Sequence, residues 1–558
     1  MVFKPSVKDI TGETVTFEGR QLDCVNYDGE SALVIKGIAG SGKTLLIVQK
    51  AKEYVPKTKD ITNLNAQRQT KVCIMIYNKA LVAAIKYILR VNGLENQVDV
   101  YTVGSYFLTN YKHHKPYGVG KFVSDCKDTI EELVNSNKAV YGRFGTNFLQ
   151  NEIEFMFSNG IADALDRTNY INMDRSGRCK EYKKRISDKD KGIIFDFFTK
   201  YLDAIHSKHL FNNEEFYSIL CKRYLDEIRI NSQYDSILID EAQDFNLVNM
   251  KLTLALGSKK KVIAMDRNQS IYDNRSWAFK DLGIQYHVKK LPITYRTSKE
   301  IDELAHDLKI IDDASLDEED RCENELSDVS TGDLPNIISC RDRNEEFELI
   351  VETIKMILPK KKTIAILLTT NNKNDKRETL GIDDFADKIR RRIGESVVKI
   401  DKNVDDNVIL TPGVKISTIH SAKGLGFDTV IIPYFERDIY PSSLFAKYMK
   451  FVDSDCYQKD GNESKDDLCK KAIREDISND RKTAYVAITR AKRHLVITYA
   501  KYPSPFISEF NKNHYLFSNA TGDESYTDSR IVYDENNPDH LMEKLIDEAV
   551  RYGNSKTK

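Results

Sequence analysis

The sequence predicts an α/β fold built on parallel sheets, and three observations carry that expectation. Short, continuous apolar runs recur along the chain: Val72–Ile76, Tyr234–Ile239, Lys261–Met265, Ile364–Leu368 and Thr429–Ile432. Runs of this kind, with consecutive apolar residues that do not alternate with polar ones, belong to strands covered on both faces, which is the situation of a parallel sheet. The run Ala32–Ile35 passes through a glycine-rich loop into the helical pattern beginning Leu45-Leu46-Ile47-Val48. Further on, a strand–helix–strand pattern repeats the rhythm with Ile364–Leu368 as its second strand.

The loop, Gly37-Ile38-Ala39-Gly40-Ser41-Gly42-Lys43-Thr44, is a phosphate-binding element. Its three glycines keep Cβ atoms out of the way, so consecutive backbone N–H groups can turn toward a phosphate at the positive end of the following helix. Lys43 adds a full charge toward the β- and γ-phosphates, and the Thr44 hydroxyl is placed to ligate Mg²⁺.

With 558 residues and 41% hydrophobic content, the chain can bury several cores, and length alone suggests about three or four domains. No stretch approaches the ~20 uninterrupted apolar residues of a membrane span, and the opening residues hold no apolar signal core, so a cytoplasmic protein is expected. The nine cysteines include no C-x-x-C pair, which gives no indication of zinc or an iron–sulfur cluster. A net charge of −1 excludes a broadly basic nucleic-acid coat but allows a locally basic channel.

Taken in order, the chain first offers Gln21, whose amide can both donate to and accept from an adenine edge. A polar linker, Lys57 to Gln69, leads to the strand Val72–Ile76, which ends in Tyr77-Asn78-Lys79-Ala80. A second strand, Val98–Tyr101, ends in Thr102-Val103-Gly104-Ser105-Tyr106. Small polar and basic residues at such strand ends are where open α/β sheets hold ligands. Residues 109–228 read as mostly helical and are expected to form an inserted subdomain. Within it Arg175, Arg178, Lys180, Lys183, Lys184, Arg185, Lys189 and Lys191 make a basic stretch, a solvated face or a phosphate-backbone contact surface.

The strand Tyr234–Ile239 runs directly into Asp240-Glu241-Ala242-Gln243-Asp244. Asp240 can hold Mg²⁺ through its water shell, while Glu241 can orient and deprotonate the water that attacks a γ-phosphate. The next strand, Lys261–Met265, ends in Asp266-Arg267-Asn268-Gln269-Ser270-Ile271-Tyr272, which directs Gln269 toward the same sheet edge.

The ordered series GIAGSGKT, DEAQDF, DRNQSIY, LPITYRTS, STIHSAKGLGF and YVAITRAK resembles the helicase motifs of superfamily 1, in the UvrD/Rep branch. The resemblance runs from about residue 19 to about residue 500 and implies two RecA-like parallel-sheet domains, with ATP between them and a single strand of nucleic acid across their tops. The expected layout is a first RecA-like domain from 1–108 and 229–294, the helical insertion at 109–228, a second RecA-like domain at 295–502, and a tail with a short helix at 503–558.

Residue by residue, the resemblance implies that Gln21 reads adenine, Gln269 senses the γ-phosphate, Tyr295 stacks on the base of ATP and Arg296 reaches the γ-phosphate. Arg490 resembles the arginine finger, and Lys43, Thr44, Asp240 and Glu241 keep the roles their chemistry already suggests. On the strand side it implies Asn78, Lys79, Thr102, Ser105, Thr418 and His420, with Tyr272 stacking on bases.

Three departures stand out. Asn274 occupies a position that is often aromatic in the family, with the single tryptophan, Trp277, three residues later as a substitute stack or a core residue. Gly426 stands where glutamate is usual. Between Arg296 and His420 there is no room for the family's second large accessory domain, which is expected to be absent or vestigial. The interval instead holds an acidic stretch from Asp312 to Asp333, read as a solvated loop. Residues 442–480 insert before the arginine-finger motif, Leu495–Ile497 are expected to close the second domain, and an amphipathic segment with Leu541, Leu545, Ala549 and Tyr552 on one face is expected to pack back on the motor.

The implied function is an ATP-dependent helicase or translocase moving 3′ to 5′ on single-stranded DNA, with ATP and Mg²⁺. The alternatives are an ATPase switch or loading subunit for a partner such as a nuclease, and a motor that uses RNA as its track.

Overall fold

The computed structural model describes residues 5–9, 12–55, 71–114, 120–123, 126–173, 186–266, 277–308, 331–370, 378–395, 397–400, 411–453, 464–523, 525–531 and 540–557. Two parallel sheets organise these residues. The six-stranded sheet runs, edge to edge, Tyr286–Leu291, Ala32–Gly37, Gly257–Met265, Tyr234–Ile239, Val72–Ile76 and Val98–Thr102. Every neighbouring pair in it is parallel. Its four central strands are those whose apolar runs are longest, because a strand covered on both faces has no solvent side to make polar.

The seven-stranded sheet has the order Val397–Ile400, Gly413–Thr418, Thr363–Leu368, Phe427–Ile432, Ala491–Tyr499, Asn336–Ser339 and Leu516–Asn519, again wholly parallel. The sheet therefore does not close at Leu495–Ile497. Asn336–Ser339 and Leu516–Asn519 lie beyond it, so a segment expected to belong to the tail supplies the edge strand.

Between Val98–Thr102 and Tyr234–Ile239 the chain is largely helical, as in Thr146–Ser158, Asp188–Ser207 and Asn213–Arg223. Phe148, Phe157, Phe195, Phe198 and Tyr201 give several of these helices a core of their own. One departure from helix is the short parallel pair Lys121–Val123 with Leu210–Asn212. The linker 57–69 and six members of the basic stretch, Arg175 to Arg185, lie outside the described residues, as does the acidic stretch up to residue 330. Of that basic stretch Lys189 and Lys191 are described, in the first turn of Asp188–Ser207.

The terminal helix, His540–Thr557, is 18 residues long rather than short, and it lies against Leu444–Asp453 and Lys465–Ile488. Met542, Leu545, Ile546 and Val550 are its buried stripe, while Tyr552 is exposed, so the buried face is rotated from the expected one. Arg474 pairs with Glu543 at 2.6 Å and Lys470 with Asp547 at 2.7 Å along its polar flank. No described helix is long and apolar enough to cross a membrane.

Candidate nucleotide-binding cleft

The strand Ala32–Gly37 delivers the phosphate loop, and the helix Lys43–Tyr54 starts at once after it, with Gly42 as its N-cap in the left-handed region. Gly40 is also left-handed, at φ 75°, and a Cβ there would stand 2.5 Å from the Thr294 hydroxyl and 2.7 Å from the Arg296 Cβ. The loop is thus a bare backbone cradle closed by the segment that links the two sheets. Gln21 donates to the Ser41 carbonyl at 3.0 Å, which fixes its amide beside the loop. The Ser41 hydroxyl is fully buried and has no hydrogen-bond partner among the described residues.

Lys43 folds back into the cradle, donating to the carbonyls of Gly37 at 2.8 Å and Ile38 at 2.7 Å, with Asp266 at 3.6 Å. Thr44 donates to the Asp240 carboxylate at 2.7 Å. A hydroxyl and a buried carboxylate offer the hard oxygen donors that Mg²⁺ takes, and the cradle beside them suits the phosphates that complete such a site, so the residues present fit the metal.

Asp240 and Glu241 end the strand Tyr234–Ile239, both buried. Burial first, then the neighbouring Glu241 charge, pushes the Asp240 carboxyl up, against the pull of Thr44 and Lys43. Glu241 goes the other way. Burial would raise it, but Lys423, Lys43 and Arg490 together with a hydrogen bond from Gln243 hold its carboxyl below the usual range. Glu241 also sits at φ 52°, a strained conformation for a residue with a side chain and one that turns it into the cleft. Gln243 in turn accepts from the Asp266 N–H at 2.9 Å, tying two adjacent strand ends together.

From the other side come Arg296 and Arg490. Both donate to the Leu425 carbonyl, at 3.3 and 3.0 Å. Arg490 also donates to the Val486 carbonyl at 2.9 Å and the Thr489 hydroxyl at 3.1 Å, and it is wholly buried. Burial and the nearby Arg296 charge lower its pKa to about 10. Tyr295 is exposed, its backbone N–H donating to the Gly40 carbonyl at 2.9 Å. Gly426 lies under Arg296, whose Cδ is 3.0 Å from where a Cβ would stand, so the guanidinium stem occupies space that a side chain would need.

The residues singled out on the strand side sit at the carboxyl ends of strands, where three of them cap helices or turns. Asn78 accepts from the Ala80 N–H, Thr102 and Ser105 form a reciprocal capping box, and Thr418 accepts from the Ser421 N–H. Asn78 also reaches the Ser421 and Lys423 carbonyls at 3.5 Å, across to the second sheet. Lys79 is exposed and His420 half-buried, with burial and Lys423 lowering the His420 pKa. Gln269, Tyr272 and Asn274 lie outside the described residues. Trp277 is a core residue: its indole N–H donates to the Phe245 carbonyl at 2.8 Å, and its ring packs edge-on to Phe279.

Sequence reasoning passed over Lys423 and Asp244, which form a buried ion pair across the cleft, and Gln243, which orients Glu241. All three stand inside the quoted motifs, and the identity of Gln243 as the one amide between two acids is the signal that was available.

Residues 18–280 match the family model for the UvrD/REP helicase N-terminal domain, and residues 389–502 match that for the UvrD-like helicase C-terminal domain. A DNA helicase II homolog of Rickettsia conorii is 36% identical over 107 residues, which are 17% of this chain and 13% of that protein. A protein of Acanthamoeba polyphaga mimivirus, named as an ATP-dependent DNA helicase, is 25% identical over 467 residues, covering 77% of this chain and 60% of the relative. The matches thus span less than two thirds of these relatives' own lengths. Among solved structures, the C-terminal domain of a possible DNA helicase from Lactobacillus plantarum aligns at 18% identity with a TM-score of 0.25, over 40% of this chain and 98% of that one.

Proposed function

We propose that this chain, which belongs to the UvrD/Rep-type superfamily 1 helicases, hydrolyses ATP and uses it to move 3′ to 5′ along single-stranded DNA. The observation that carries this is the meeting of Lys43, Thr44, Asp240 and Glu241 from the first sheet with Arg296 and Arg490 from across the cleft. We assign 1–108 and 229–294 to one RecA-like ATPase unit and 295–502 to a second. We take the helical segment 109–228 as an insertion and the family's second large accessory domain as absent or vestigial.

ATP is the substrate. Its triphosphate takes the cradle, and Lys43 gives up the Gly37 and Ile38 carbonyls for the β- and γ-phosphates. Thr44 and Asp240 would hold Mg²⁺, which would supply charge neutralisation on the phosphate oxygens. Glu241, kept ionised by the cations around it, orients the attacking water and takes its proton. Arg296 and Arg490 exchange the Leu425 carbonyl for the terminal phosphate, so the charge that stabilises the transition state arrives from the other side of the cleft. Gln21 and Tyr295 flank the loop where the base is expected. Gln269 is assigned as γ-phosphate sensor and Tyr272 as the base stack.

Cleft closure links hydrolysis to the strand. The turns capped by Asn78, Thr102 and Thr418 lie at the carboxyl ends of strands in both sheets, and Asn78 already bridges the two sides. Alternating grip at these turns, together with Lys79, Ser105 and His420, gives directional stepping.

The test of polarity is streptavidin displacement from oligonucleotides biotinylated at one end. The proposal expects ATP-dependent release from the 5′ end and none above background from the 3′ end. Release from the 3′ end instead would overturn the direction. ATP turnover without release at either end would favour a switch or loading subunit, and release from RNA but not DNA would replace the track.

A further inference from the structure

Tyr485 stands five residues before Arg490, near the end of the helix Lys465–Ile488. It is buried, with its ring held edge-on against His306 at 5.7 Å. Its hydroxyl faces the Ala39 backbone of the phosphate loop, and Asp266, Asp302 and Arg490 are the charged groups around it. Asp266 is itself 3.6 Å from Lys43, so this is the phosphate end of the cleft. Yet the hydroxyl makes no well-formed hydrogen bond among the described residues, and the Thr294 hydroxyl, against Gly40 on the same loop, is in the same position.

A buried phenol left without a hydrogen bond costs stability, and phenylalanine would fill the same space without that cost. Such a group is explained when a ligand completes it. Burial first, and then the neighbouring Asp266 and Asp302, disfavour a phenolate, so the group is a donor, and what arrives beside Ala39 must be an acceptor.

We infer that Tyr485 is a nucleotide-contacting residue, whose hydroxyl donates a hydrogen bond to an oxygen of the terminal phosphate beside Ala39. The bond fastens the end of the helix that leads to Arg490 onto the phosphate loop only when a γ-phosphate is present. Tyr485 therefore distinguishes the triphosphate from the diphosphate. This rests on the proposal that the cleft hydrolyses ATP.

The experiment uses Tyr485→Phe in the full chain and reads thermal midpoint, affinities for ADP and for the non-hydrolysable β,γ-imido analogue of ATP, and kcat. The expected result is a midpoint equal to or above wild type, unchanged ADP affinity, and analogue affinity and kcat each lower by about tenfold or more. Analogue affinity and kcat within about twofold of wild type would overturn the inference. So would a lowered midpoint with parallel loss of both nucleotides, which marks a structural tyrosine. Should the wild-type chain bind nucleotide without hydrolysing it, the ATPase proposal fails, while the ADP-against-analogue comparison still decides the role of Tyr485.

Discussion

Replacing Lys423 by methionine tests how the cleft keeps Glu241, the proposed general base, ionised. The ammonium group pairs with Asp244, both side chains being 2% exposed, and it is the leading cation in holding the Glu241 carboxyl down against burial. Methionine keeps most of the length and removes the charge. Taking one partner out of a buried pair costs about 3–5 kcal/mol, here set against the contact between the two sheets rather than either sheet's core.

Glu241 loses its strongest opposite charge but retains Lys43 and Arg490, so its pKa should rise. The sign follows from the depressed wild-type value. The ionised base is present at neutral pH and is lost as pH falls through the folded pKa, so in the variant that loss starts at higher pH. The assay is the pH dependence of kcat/KM for strand-stimulated ATP hydrolysis between about pH 5 and 9, with Lys423→Arg as the charge-retaining control. An acidic limb displaced to higher pH in the methionine variant alone is the expected result. Superimposed acidic limbs would refute the reasoning, whatever happened to the plateau.

Lys43→Ala should abolish turnover, while Arg490→Ala should lower it by about 10³ to 10⁵ and spare ATP binding, as measured by rates alongside analogue titrations. Gly40→Ala forces a side chain into the left-handed region and onto Thr294 and Arg296; a destabilisation of about 1–3 kcal/mol and loss of nucleotide binding should appear together in denaturation and titration. Trp277→Phe removes the bond to the Phe245 carbonyl, so stability should fall by about 1–2 kcal/mol with strand affinity unchanged, where a base-stacking role would weaken the strand instead. Asp528 is held down to about 2 by Arg530 and Tyr499, against its burial; its contribution is full above the ordinary carboxylate pKa and is lost as pH falls from there through the folded value of about 2. Asp528→Asn should therefore loosen 525–531 from the sheet at neutral pH, seen as faster hydrogen exchange there, and the difference from wild type should shrink in acid.

The central strands were legible because burial on both faces leaves consecutive apolar residues, as throughout Val72–Ile76 and in Ile237–Ile239 at the end of Tyr234–Ile239. Edge strands lack that signature. Tyr286–Leu291 alternates apolar residues with His287 and Lys289, and Leu516–Asn519 is four residues long, so neither stands out from loop.

The phosphate cradle could be read because its chemistry needs particular residues in a fixed order. The apolar stripe of the last helix was displaced by a residue or so, because Met542, Ile546 and Val550 serve as well as Leu541 and Ala549 until the partner helices choose. What no periodicity could give is who faces whom across the cleft. Lys423 and Asp244 meet only because the two sheets pack together, and Arg296 and Arg490 reach one carbonyl on the second side from positions far apart in the chain.

The most direct test of the central claim is steady-state ATP hydrolysis by the intact chain with no nucleic acid, with single-stranded DNA, with duplex DNA and with single-stranded RNA, at one salt concentration. Strong stimulation by single-stranded DNA above the other three is the predicted result, because the proposal couples the capped turns, as the grip on the strand, and the arginines, as the completion of the cleft, to one closure. Equal turnover in all four would contradict it, since the motor would then run without sensing a strand.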